Sequence, residues 1–78
     1  MQILPLNQLP IGEKGTVFSM DFSGIARRRM LDVGFVPGTE VEALQKSPSG
    51  NPIAYHVRGT VIALRAEDAG RIALRVGA

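Results

Sequence analysis

Five short β-prone segments, joined by tight turns and interrupted once by a helix, predict a mainly β fold that curls on itself. Three observations carry this. Apolar residues alternate or run together over short stretches bounded by Gly, Pro, Asn and Ser. One segment, residues 23–38, combines helix-start with helix-stop chemistry. The length, 78 residues, lies near the low end of what folds alone, so 1–78 reads as a single domain with an economical core.

In chain order, residues 5–9 suit one helical turn, with Leu6 and Leu9 at i, i+3 turned inward and Pro10 and Gly12 ending it. Residues 16–22 form the first strand, Val17 and Ser19 on one side and Phe18, Met20 and Phe22 on the other. Alternation alone does not say which side is buried.

The helix follows. Ser23 suits the N-cap, its hydroxyl accepting a free backbone N–H of the first turn. Gly34 suits the C′ position, where φ is positive, and Met30 and Phe35 then form the apolar pair that closes a Schellman motif. Val36, Pro37, Gly38 and Thr39 fit a type II turn. At about 100° per residue, Ala26, Met30 and Val33 share a stripe predicted to face the core. Arg28 and Asp32 stand as an i, i+4 pair, while Leu31 lies away from the stripe between Arg27 and Arg28.

Residues 39–46 alternate Val41 and Ala43 against Glu40 and Glu42, a second strand. The cluster S-P-S-G-N-P at 47–52 marks a hairpin loop. The next strand, 53–57, turns Ile53, Tyr55 and Val57 inward and Ala54 and His56 outward, and Arg58 and Gly59 make a tight hairpin connection. Residues 60–64 are almost continuously apolar and are predicted to be the most buried strand. Residues 65–70 suit one helical or 3₁₀ turn stopped by Gly70. The last strand, 71–76, points Ile72, Leu74 and Val76 inward. Five strands in so short a chain leave bare edges unless they curl into a barrel. A helical turn between the fourth and fifth strands is a feature of SH3-like barrels, so the predicted fold is a small five-stranded SH3-like barrel with one inserted short helix.

Composition narrows the chemistry. Nine Lys and Arg against seven Asp and Glu give a net charge of +2, too weak a field for tight non-specific nucleic-acid binding. One Tyr, three Phe and no Trp offer few surfaces for base stacking, so no nucleic-acid partner is expected. Without cysteine there is neither a disulfide framework nor a thiolate metal site. The first ten residues lack the features of a signal peptide, and no apolar run is long enough to span a bilayer, so a cytoplasmic location is expected. The single histidine, His56, has no triad partner nearby in sequence. The stretch G-E-K-G-T at 12–16 lacks the spacing of a phosphate loop. No catalysis is therefore expected. One His, three Asp and four Glu show no clustered ligand spacing, and no cofactor or metal site is assigned. His56 meets Glu40 or Glu42 across a hairpin only if the register brings them together.

The three consecutive arginines leave two readings open. They are a solvated face whose stems cover apolar surface, or they frame Leu31 as an apolar anchor of the composition favoured at interface cores.

Along nearly the whole chain these residues resemble the FeoA family, small cytosolic accessory proteins of bacterial ferrous-iron uptake. Leu6, Leu9, Gly12, Gly15 and Val17 resemble its opening pattern. The run R-R-M-L-D-V-G-F at 28–35, then Pro37 and Gly38, resembles its most specific segment. Pro48, Gly50, Pro52 and Ile53 fit its central hairpin. Gly59, then Ile62, Ala63, Leu64 and Arg65, then Ala69 and Ile72, fit its closing segment. Met30 and Val33 stand where the family more often has leucine. The resemblance implies an SH3-like domain that acts with the membrane transporter FeoB, whose cytoplasmic part binds GTP, and that meets the membrane only through that partner. It also implies a family-level link to transition metals, since such domains occur at the C-terminus of metal-dependent repressors. The expected contact residues are Arg27, Arg28 and Leu31, with Phe35 and Arg65. An arginine finger for a partner GTPase, from Arg27, Arg28 or Arg29, would need a mobile loop more than a helix. The alternatives are a small SH3-like nucleic-acid-binding barrel and a stand-alone relative of the repressor domain.

Overall fold

The computed structural model describes residues 2–77. Six strands form one antiparallel sheet: β1 (Gln2–Pro5), β2 (Lys14–Met20), β3 (Glu40–Lys46), β4 (Ile53–Val57), β5 (Thr60–Leu64) and β6 (Ile72–Val76), ordered β1-β6-β2-β3-β4-β5. Helix α1 (Gly24–Val33) is inserted between β2 and β3, and a single turn, α2 (Ala66–Ala69), precedes β6. The SH3-like class expected from sequence is the one observed, with six strands rather than five.

The extra strand is β1. Residues Leu6–Gln8 do form the expected helical turn, of 3₁₀ type, with Leu6 and Leu9 buried. The four residues before it carry little strand signal and end in proline. They are held extended by pairing with β6, from Gln2 opposite Val76 to Pro5 opposite Ala73, a contact distant in sequence.

Curling follows from two bulges. In β2 the register shifts between Val17 and Ser19, and in β3 between Ala43 and Gln45, and each extra residue sharpens the local twist. The β2 bulge also explains why alternation could not choose a face. Val17 points inward, Phe18 is the exposed extra residue, and Met20 is half-buried again on the far side of the shift.

The two edge strands do not pair with each other; the 3₁₀ turn and α2 meet in the gap. Asn7 Nδ2 donates to the Ala66 carbonyl at 3.1 Å, and the Ala66 N–H donates to Asn51 Oδ1 at 2.8 Å. Beneath them the Tyr55 hydroxyl donates to the Leu6 carbonyl at 3.4 Å. The core then fills from the inward residues that alternation predicted: Val41 and Ala43, Ile53, Tyr55 and Val57, and Ile72 and Leu74.

β5 departs from expectation. Only Leu64 is buried, and Val61 is 63% exposed. A continuous apolar run marks a central strand only when both faces and both edges are covered. Here β5 pairs with β4 alone and ends the sheet.

Candidate interaction site

Chain chemistry builds the C-terminal end of α1. The Phe35 N–H donates to the Met30 carbonyl at 3.0 Å and the Gly34 N–H to that of Leu31 at 3.1 Å, the two bonds of a Schellman motif. Gly34 has φ 121°. Met30 packs partly on the core beside the fully buried Phe35. The type II turn follows, with Gly38 at φ 94° and the Thr39 N–H donating to the Val36 carbonyl at 3.0 Å.

The N-terminal end differs from expectation. Ser23 makes no side-chain capping bond. Gly24 has φ 58°, a left-handed residue that turns the serine away from the first free N–H groups.

The faces of α1 also differ. No residue of the helix is buried; Ala26 and Val33 are exposed, and Ile25 is 75% exposed. The helix rests on the barrel through the half-buried Met30, so of the expected stripe only Met30 packs inward, while Ala26 and Val33 stay exposed and Leu31 is half-buried. The stripe rule assumes a helix laid along a core, and this one is tethered near its C-terminus.

Arg27, Arg28 and Arg29 are all exposed. The ion pairs among the described residues join Lys14 to Glu40 at 4.0 Å and Arg65 to Glu67 at 3.2 Å, so the expected pairing of Arg28 with Asp32 is not made. The helix has no acidic residue in its first turn and no basic residue in its last. Asp32, near the last carbonyls, faces the negative end of the helix dipole, an unfavourable placement of about 0.3–1 kcal/mol. A short exposed helix whose charges work against its own dipole is not arranged for its own stability.

A fourth guanidinium joins them. Arg58, at the tip of the β4–β5 hairpin, has φ 51°. Its stem packs over Gly34: a Cβ placed on that glycine would lie 3.0 Å from Arg58 Cδ and 3.0 Å from Val57 Cγ1. The arginine-framed Leu31 and this hairpin tip therefore form one cationic shoulder. The hairpin was legible in sequence; its docking against the helix stop was not.

The other expected contacts lie elsewhere. Phe35 is 0% exposed and supports the shoulder from within, with no surface to offer a partner. Arg65 follows β5, on the order of 15 Å of strand from Arg58, and its Nε donates to Glu67 Oε1 at 3.2 Å. His56 stands opposite Glu42 in the β3–β4 register. Among the described residues no group of three or more His, Asp or Glu is placed to hold a metal ion. Exposed guanidinium donors beside an aliphatic side chain have the chemistry that pairs with carboxylates next to apolar surface.

The family model of the FeoA domain matches residues 4–76. The chain belongs to the FeoA family. A Porphyromonas gingivalis protein described as an Fe(2+) transport protein A/Fe(2+) transporter FeoB fusion is 31% identical over 67 residues, which is 86% of this chain and 8% of that protein. The chain thus spans under a tenth of this curated relative. An FeoA-like protein from Clostridium acetobutylicum superposes with a TM-score of 0.86 at 34% identity, covering 97% of this chain and 88% of that one. The zinc complex of FeoA from Stenotrophomonas maltophilia, described as an SH3 domain protein, gives 0.78 at 33% identity over 88% and 86% of the two chains. FeoA domains are accessory parts of ferrous-iron transport systems, and no helix among the described residues is long and apolar enough to cross a membrane.

Proposed function

We propose that this protein is a non-enzymatic accessory module of ferrous-iron uptake that docks through its cationic shoulder on the cytoplasmic GTP-binding part of an FeoB-type transporter. The observation that carries the reading is the set of four exposed arginines, Arg27, Arg28, Arg29 and Arg58, without ion pairs among the described residues, around Leu31. The fusion of the two components in a relative supports this choice of partner. Leu31 is the apolar centre, Arg27, Arg28 and Arg58 the charged rim, and Phe35 the internal support. Rim charges of this kind set association rate and salt dependence more than final affinity, whereas the buried anchor sets dissociation.

The test is a titration of the transporter's soluble cytoplasmic domain with the folded protein. Leu31→Glu buries a carboxylate at the centre and weakens binding by about 2 kcal/mol or more, roughly 30-fold. Arg28→Glu slows association and flattens the salt dependence. Unchanged binding and iron uptake in both variants would place the contact elsewhere.

A further inference from the structure

The charge of this protein is not spread evenly. Three arginines against one aspartate give α1 a net charge of +2, equal to that of the whole chain, so the barrel beneath the helix is neutral on balance. Residues 22–31 contain no acid. The helix also stands clear of the barrel: none of its residues is buried, and Met30 is its one apolar side chain packed on the core. It has a second side, away from the shoulder, because Arg29 lies roughly 160° round the helix from Leu31. Ile25, Arg29 and Val33 (i, i+4, i+8) run along that side within about 80°, and all three are exposed. Ile25, at 75%, is the most exposed large apolar side chain among the described residues. Arg28 and Arg29, at i+3 and i+4, flank it. Beyond Ala26 the rim continues to Arg71, whose guanidinium lies 5.8 Å from the centre of the Phe22 ring in a cleft also lined by Asp21.

We propose that this second face of α1 rests directly on an anionic lipid bilayer, a contact beyond the one expected through a protein partner. Ile25 and Val33 enter the boundary between headgroups and acyl chains, and the guanidiniums of Arg28 and Arg29 reach the headgroup phosphates. The placement of the charge selects an anionic occupant, since the one helix that projects from the barrel carries all the net charge. Its shape selects a fluid one. A rigid protein would need a socket for Ile25 and an acidic wall on each flank, whereas headgroups close round a projecting helix without a preformed site. Arginines on both flanks of an apolar crest snorkel to phosphates while their stems stay beside the acyl boundary. Asp32, two turns beyond Ile25 at the edge of this face, works against the contact. A helix of ten residues with two inserted side chains holds weakly and reversibly.

The test is co-sedimentation of the purified protein with vesicles of phosphatidylcholine, with and without phosphatidylglycerol at about a third of the lipid, at about 25 and 300 mM salt. The expected result is binding to the anionic vesicles at low salt, release at high salt, and little binding to the neutral ones. Arg29→Gln weakens the partition roughly five-fold, Ile25→Asn weakens it several-fold, and Asp32→Asn strengthens it. All three positions are exposed, so the variants keep the fold, as thermal unfolding verifies. No binding at low salt, equal binding to neutral vesicles, or binding unchanged in Arg29→Gln or in Ile25→Asn would overturn the proposal. Ile25→Asn is expected to bind the soluble transporter domain as the parent does. Loss of that binding would give this face to the protein partner and overturn the bilayer contact, whereas failure of Leu31→Glu in the transporter titration counts against the shoulder alone.

Discussion

The stem of Arg58 lies over Gly34, so the end of α1 and the tip of the β4–β5 hairpin hold each other in place. Both residues have positive φ, 51° and 121°, and the space above Gly34 closes at 3.0 Å. Gly34→Ala therefore meets a backbone penalty and an overlap together, about 2–3 kcal/mol of lost stability in urea unfolding. In an Arg58→Gly background the same change costs measurably less, by about 0.5 kcal/mol or more, because the overlapping Cδ is gone.

Tyr55 makes stability fall in strong alkali. Burial pushes its hydroxyl up from 10.0 to about 12. Between these values the unfolded chain has lost the phenolic proton while the folded one keeps it, so unfolding is favoured as pH rises. Stability is complete below pH 10 and declines by about 3 kcal/mol on passing through pH 12. Comparison with Tyr55→Phe by denaturant unfolding isolates the effect, since the variant lacks this part of the pH slope.

Asn51 ties the central hairpin loop to α2 by accepting the Ala66 N–H. Asn51→Ala leaves that donor to water and costs about 1 kcal/mol. Thermal unfolding reads the loss, and Asn51→Asp, which keeps an acceptor, restores most of it.

Asp32 opposes the dipole of α1. Asp32→Lys places a cation beside the last carbonyls and raises stability by about 0.3–1 kcal/mol, measured by urea unfolding at low salt and diminished at high salt.

What could be read from the chain was local. The helix stop at Met30, Gly34 and Phe35, the type II turn at Pro37 and Gly38, and the alternation of β3, β4 and β6 each depend on residues a few positions apart. What could not be read depends on partners far along the chain. β1 exists through β6, and Phe18 lost its face to a bulge. β5 looked central because its apolar run cannot reveal an absent neighbour. Only Met30 of the expected stripe on α1 packs on the core, since a helix held at one end need not bury its whole apolar side. Of the expected contact residues, Arg27 and Arg28 lie exposed and Leu31 half-buried on α1, whereas Phe35 belongs to the core, and the position of Arg58 beside the helix stop had no local signal in the sequence.

The most direct measurement of the docking claim is an NMR titration of this protein with the soluble cytoplasmic domain of the transporter. Binding through the shoulder perturbs the amides of α1 and of Val57, Arg58 and Gly59, and leaves β1 and β6 unchanged. Perturbation confined to β1 and β6, or none at saturating partner, would contradict it.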